Sequence, residues 1–389
     1  VHRRFLLVNL PYGPFGRELC AALRARGADV GHMIFNAGDV ISRRGPGGIE
    51  YRGASTDWPA TYRALAPLWT DVVVYGEGRW QTHPVLDAAG SRPRVWVLEN
   101  GYFRPDWITL ERDGVAAGSP VLPRSPQAYA GRPPEASEPD PVGPVTRPLV
   151  MAVARYWLAE RFLPIYPRPD SGFDPPPWRQ AAGHVRRWVR LRLSPKVDAG
   201  AVAARGPFVL VCLQREGDSQ LTRHSDLTTN AAFLDAVISD FARHAPADLR
   251  LVVKNHPLDP GVIDQASSTR SVAARHAVAD RVSFIDGGTM APLCRTSRGL
   301  VVNNSSAALA ALGFGTPVKV LGRAFFDFDG LTHQGPLASF WTRPVGPDPD
   351  LFLRFRASVI ARTQINGSFE GPRLRRRTAE RIAERMTAA

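Results

Sequence analysis

Long hydrophobic runs are missing from this 389-residue sequence. No stretch approaches the roughly 20 apolar residues that span a bilayer, so any membrane contact is expected to be peripheral. Cysteine is scarce: Cys20, Cys212 and Cys294 stand singly in apolar surroundings, without CxxC or metal-ligand spacing. This excludes a disulfide framework and reads as buried thiols of a reducing cytoplasm. The opening VHRRFLLVNLPYGPF holds an apolar run of about six, too short for the core of a signal peptide. No GxGxxG follows the first strand and no GxSxG occurs, which removes the dinucleotide fingerprint and the hydrolase elbow. His224 with Asp226, and Asp327 with Asp329, lack a third ligand at metal spacing, so no metal site is expected. Internal repeats of 20 to 50 residues are absent too.

Acidic residues are outnumbered, 36 against 49 basic, for a net charge of +13. That balance suits anionic partners such as a nucleotide, an acidic sugar or an anionic membrane surface. Nucleic acid is disfavoured because the arginines carry no binding motif and no interleaved aromatics.

What is present centres on Leu300–Gly322, LVVNNSSAALAALGFGTPVKVLG. An apolar strand, a polar turn, an Ala/Leu-rich helix, a glycine stop and a second strand follow one another. Ser305 or Ser306 suits the helix N-cap, either as a plain cap or as a seat for a phosphate. Upstream, the apolar run Leu249–Val253 leads into Lys254, His256 and Pro257, and Phe208–Leu213 leads into Gln214, Glu216, Asp218 and Ser219. In an open parallel sheet a ligand lies at the carboxyl ends of the strands, so these three ends are expected to form one site.

The spacing predicts strands near 208–213, 249–254, 282–285, 300–302 and 317–321, alternating with helices near 229–243, 260–277, 289–297 and 305–313. The amino-terminal half opens with a strand at Phe5–Asn9, a helix over Gly16–Arg26 and a strand at Asp29–Phe35, with further strands at Val72–Tyr75 and Val95–Leu98. The last runs into Glu99-Asn100-Gly101, which suits a carboxylate held rigidly at a cleft and equally a plain turn. A Pro/Gly/Ser-rich linker covers 115–145. Two helices follow, near 146–162 and 178–193, separated by a proline cluster at 164–177. The second puts Ala181, Val185, Trp188 and Val189 on one stripe with Arg186, Arg187, Arg190 and Arg192 beside it. Such a helix lies on anionic lipid or packs on a core with a solvated arginine face. The tail from Pro372 predicts another arginine-rich helix.

Gln214 with Asp218, the Lys254-Asn255-His256-Pro257 segment, Asn304-Ser305 and FDFDGLTHQGPLASFW over 326–341 resemble the bacterial capsule polysaccharide synthesis and export family, of the KpsS/KpsC kind. Phe35-Asn36, Trp58-Pro59, GYFRPDWITLERDGV over 101–115 and Leu122-Pro123-Arg124 extend the resemblance to the amino-terminal half. It implies an α/β fold of two Rossmann-like domains facing a cleft (GT-B-like). These are an acceptor domain at 1–145, a basic helical connection at 146–205, a nucleotide-sugar domain at 206–345, and C-terminal helices at 346–389 that cross back.

The implied activity is transfer of Kdo with retention from CMP-β-Kdo to a (lyso)phosphatidylglycerol-type lipid, peripherally at the cytoplasmic face of the inner membrane and beside other capsule-synthesis proteins. No cofactor is implied beyond the donor substrate. The resemblance assigns Asp218 as nucleophile, against the reading of a loop Asx-turn. It assigns Gln214, Lys254, His256, Pro257, Asn304, Ser305 and Ser306 to the donor. The family's strand-end motif carries two acidic residues before glycine and uses the second as acid/base. Asn100 stands there in this chain, so Glu99 becomes the expected acid/base although neighbours on a strand point to opposite faces. A non-catalytic lipid-saccharide binding or export factor, and a sugar-nucleotide epimerase of the same architecture, remain the alternatives.

Overall fold

The computed structural model describes residues 2–43, 45–135, 138–163 and 177–388. The proline cluster lies outside these residues except for Pro177. Contacts divide the chain into two units, one of Val1–Val121, Glu135–Phe173 and Val359–Ala389, the other of Leu122–Pro134 and Asp174–Ser358.

The strands in chain order are β1 (Arg4–Leu7), β2 (Asp29–Ile34), β3 (Gly48–Glu50), β4 (Asp71–Tyr75), β5 (Arg94–Asn100) and β6 (Trp107–Arg112) of the first unit, then β7 (Phe208–Cys212), β8 (Arg250–Lys254), β9 (Val282–Ile285), β10 (Gly299–Val302) and β11 (Val318–Val320) of the second, and finally β12 (Gln364–Asn366) back in the first. The first sheet runs β12-β6-β5-β4-β1-β2-β3 and the second β11-β10-β7-β8-β9. Every pairing in the second is parallel. In the first, only β6 against β5 and β12 against β6 are antiparallel. Both units are therefore Rossmann-like α/β layers.

Side chains on a strand alternate between faces, and in a sheet covered by helices on both sides both sets are apolar. In the first sheet Phe5, Leu7, Val73, Trp96 and Leu98 pack against Phe15, Leu19, Leu23, Ile382 and Met386. These last belong to the helices Phe15–Arg24 and Arg375–Ala388, so the tail helix completes the first unit's core. Leu6, Val8, Val72, Val74, Val95 and Val97 face the other way, onto Trp58, Tyr62 and Val85. In the second sheet Val209, Val211, Leu251, Val253 and Val301 pack on Phe233, Leu234, Val237 and Phe241 of helix Asn230–His244.

Candidate functional site

In the second unit the chain leaves β7 in one direction to β8 and β9 and in the other to β10 and β11. The order reverses between β7 and β10, and in such sheets the ligand crevice opens there, beyond the carboxyl ends of the strands. Gln214 lies just past β7 on this line. Its N–H donates to Asn230 Oδ1 at 3.2 Å, and its carbonyl accepts from Asn230 Nδ2 at 2.8 Å. Its side-chain Oε1 accepts the Asn304 N–H at 3.2 Å, bridging the ends of β7 and β10. Asn304 Nδ2 returns to the β7 loop by donating to the Gln220 carbonyl at 2.6 Å. Asn304 Oδ1 is buried and has no hydrogen-bond partner among the described residues. A buried acceptor in that state suits a ligand donor, since such groups are rarely left unpaired.

Asp218 follows on the same loop as the N-cap of the short helix Ser219–His224, with Oδ1 accepting the Gln220 N–H at 2.8 Å. The capping geometry weighed for this residue is thus present, and it fixes the carboxylate's direction. Ser306 caps the seven-residue helix Ala307–Gly313 without a side-chain hydrogen bond, while Ser305 Oγ accepts the Ala307 N–H at 3.3 Å. The helix expected from residue 305 therefore starts at Ala307, and the two serines belong to the loop at the crevice.

The β8 loop lies next to the β7 loop because Cys212 pairs with Lys254. His256 Nδ1 accepts the Leu258 N–H at 3.1 Å, which assigns the proton of a neutral ring to Nε2. Lys254 is interior, only 5% exposed. Burial pushes its pKa below the ordinary lysine value, with the neighbouring Cys212 and Asp286 opposing the shift. Beneath the loop, Arg187 Nη1 donates to the Pro257 carbonyl at 2.8 Å and the Asp259 carbonyl at 2.7 Å, and Nη2 donates to the His256 carbonyl at 3.1 Å. Its Nε and Nη2 grip Asp286 at 3.0 and 2.6 Å. This overturns the solvated arginine face expected for the helix Pro177–Leu193 where Arg187 is concerned. Planar guanidinium with its donors satisfied can be buried, and here it holds the loop that carries His256 and Pro257.

In the first unit Glu99 and Asn100 end β5. Glu99 shares its face with Val97, Thr109 and Glu111, while Asn100 Nδ2 reaches the other face and donates to the Tyr75 hydroxyl at 3.2 Å. Glu99 Oε1 accepts the Asn100 N–H at 2.7 Å. The Asn100 face carries a further carboxyl. Phe369 stacks edge-on to Tyr75 at 5.5 Å, and Glu99 and the adjoining Glu370 both act electrostatically on the Tyr75 hydroxyl. Burial raises the Glu370 pKa above the ordinary carboxyl value, and Arg104 opposes this.

Gln214, Asp218 and Asn304 thus share one hydrogen-bond network, continued along the chain by Ser305 and Ser306. Lys254 ends the adjacent strand β8 and His256 and Pro257 occupy the loop after it, and Glu99 and Asn100 belong to the other unit. Sequence reading missed Asn230 and Arg187 as the residues that fix the loops, and it missed Tyr75 and Glu370. No motif announces them, because their partners lie far off in sequence.

Comparison with known proteins identifies the family. The family model described as capsule polysaccharide biosynthesis protein matches residues 70–370. The capsule polysaccharide modification protein LipB of Neisseria meningitidis is 33% identical over 386 residues, covering 94% of this chain and 91% of LipB. The capsule polysaccharide export protein KpsS of Escherichia coli is 29% identical over 381 residues, covering 94% of this chain and 97% of KpsS. Among solved structures, the Thermosulfurimonas dismutans KpsC, beta Kdo 2,7 transferase, is similar with a TM-score of 0.47 at 14% identity over 99% of each chain. The chain belongs to the capsule polysaccharide biosynthesis protein family.

Proposed function

We propose that this protein is a retaining glycosyltransferase that moves Kdo from CMP-β-Kdo to a (lyso)phosphatidylglycerol-type lipid in capsule linker synthesis, working peripherally at the cytoplasmic face of the inner membrane. The observation that carries the reading is the Gln214–Asn304 bridge across the strand-order reversal. It joins the loops bearing Asp218 and Ser305-Ser306 beside the His256 loop, in a member of a capsule-synthesis family. The identity of the donor sugar rests on the resemblance carried by Gln214, Asp218, the Lys254–Pro257 segment and Asn304-Ser305.

In this reading His256 Nε2–H and the Ser305-Ser306 turn hold the CMP phosphate, Pro257 shapes the loop, and Lys254 adds positive potential from below. Asp218 attacks the anomeric carbon as the bond to the phosphate oxygen breaks and CMP departs. The lipid hydroxyl then displaces the carboxylate from the opposite side, so two inversions give net retention. Its proton passes to Glu99, because the Asn100 amide cannot take it.

The test is incubation with CMP-Kdo and lysophosphatidylglycerol, read by mass. Asp218→Ala is expected to abolish transfer while CMP binding persists. Retention of more than a few per cent of parental activity removes Asp218 from its role, and a parent that binds UDP-sugars in preference to CMP overturns the function itself.

A further inference from the structure

The helix Pro177–Leu193 buries the wrong stripe for a core helix. Gln180, Gly183 and Arg187, spaced i, i+3, i+7, face the second unit. A Cβ on Gly183 would run into the Pro260 carbonyl, Gln180 Oε1 accepts from Arg215 Nη2 at 2.6 Å, and Arg187 takes the loop carbonyls and Asp286 described above. At 100° per residue the opposite stripe holds Trp178, Ala181, Val185, Trp188, Val189 and Leu193. This stripe is in solvent: Val185 is 62% exposed, Trp188 59% and Leu193 83%.

The flanks are cationic. Arg179 and Arg186 run along one side of the stripe together with Arg190, whose Nη2 also donates to Asp286 at 2.7 Å, and Arg192 lies within the stripe, over the Trp188 ring at 4.9 Å. The segment contains five arginines and no acidic residue. Tryptophan and leucine facing outward with arginine alongside is the composition of a helix lying in a membrane interface. Helix Thr146–Phe162 of the first unit repeats the pattern, with Met151, Leu158 and Phe162 exposed and Arg147, Arg155 and Arg161 among them. The other basic helix, Arg375–Ala388, offers no such face. Its apolar Ile382 and Met386 are in the core, and Arg375 and Arg381 are spent on Glu18 and the Asn366 carbonyl at 2.8 and 2.7 Å.

We infer that the outward stripe of helix Pro177–Leu193, centred on Val185 and Trp188, docks into the headgroup region of an anionic bilayer, with Arg179, Arg186 and Arg192 on lipid phosphates. The inference extends the reading of a lipid acceptor but stands on burial and charge, so it survives if the transferred sugar proves to be another. The polar face of the same helix grips the His256–Asp259 carbonyls, so docking brings the donor loop to the lipid surface. A protein partner of ordinary composition fits less well, since it would have to supply both an apolar groove and an acidic rim.

The test uses the full chain in flotation with vesicles of phosphatidylcholine alone or containing about a third phosphatidylglycerol. Binding to the anionic vesicles is expected, and it should weaken steeply between about 0.1 M and 1 M salt as the Debye length falls from about 10 Å to about 3 Å. Val185→Glu/Trp188→Glu touches no partner of the polar face. It should lose vesicle binding at least 10-fold while retaining CMP affinity, which also reports that the fold survives. Undiminished flotation of that variant, equal binding of the parent to neutral vesicles, or a lipid-free dimer abolished by the double substitution would each overturn the inference. Loss of Kdo transfer with vesicle binding intact would instead count against the proposed chemistry alone.

Discussion

Glu111 is a carboxyl in the wrong solvent, and its cost is measurable. It lies on β6, 2% exposed, with Oε1 accepting the Tyr102 hydroxyl at 2.5 Å and Oε2 accepting from Ser119. Burial pushes its pKa up to about 7 from an ordinary 4.5, the two hydrogen bonds pull it down, and Glu77 nearby adds to the rise. Between those two values the folded chain keeps a proton that the unfolded chain has released, so stability falls as pH rises through the window. At about 1.4 kcal/mol per pH unit, the loss complete above pH 7 is about 3 kcal/mol. Glu111→Gln keeps the shape, can accept from Tyr102, can donate to a rotated Ser119 hydroxyl, and never ionises. Urea unfolding of parent and variant should therefore give a difference of less than about 1 kcal/mol at pH 5, growing to about 3 kcal/mol in favour of the variant at pH 8. A difference that stays constant between the two pH values would refute the reasoning, because only a titrating group produces the change.

Asp71 behaves oppositely: it is fully buried, and although burial alone would raise its pKa, Arg3 at 2.9 Å on both oxygens, Thr70 and the Trp96 indole hold it below the ordinary carboxyl value. Its contribution is present above the unfolded pKa and lost as pH falls through the folded one. Asp71→Asn should cost about 3–5 kcal/mol at pH 7, read by thermal melting, and should flatten the acid limb of the stability curve; an unchanged acid limb counts against the assignment. His256→Ala should weaken CMP binding by about 10-fold or more, from the ~1.5–3 kcal/mol of a hydrogen bond to a charged group, and calorimetry showing equal affinities removes His256 from the phosphate. In the CMP-Kdo assay Glu99→Gln should lower the rate at least 100-fold, whereas Glu370→Gln should leave it within a few-fold. The reverse outcome moves the proton acceptor to the Asn100 face, where Asn100→Glu would then raise the rate.

How far the sequence could be read depended on whether its pattern carries a direction. Strands such as FVLVC and the Leu-Val-Val of β8 are covered on both faces, so they appear as continuous apolar runs bounded by turns. The short strand Gln-Ile-Asn of β12 has no such signature and exists because Thr109, Ile108 and Trp107 offer it an antiparallel edge from more than 250 residues away. The same distinction governs the site. That Glu99 and Asn100 face opposite ways follows from alternation along any strand. That the Asn100 face meets Glu370 needs the tail to fold back onto Tyr75. Helix Pro177–Leu193 is the sharpest case, because periodicity marks an apolar stripe and a polar one without saying which is inside. The inside was decided by Asp286 and a concave set of loop carbonyls, which satisfy an arginine better than an apolar wall could accommodate Trp188. Once the polar stripe takes the interior, the apolar one faces water, where a row of tryptophan, valine and leucine is stable only until it meets a less polar solvent.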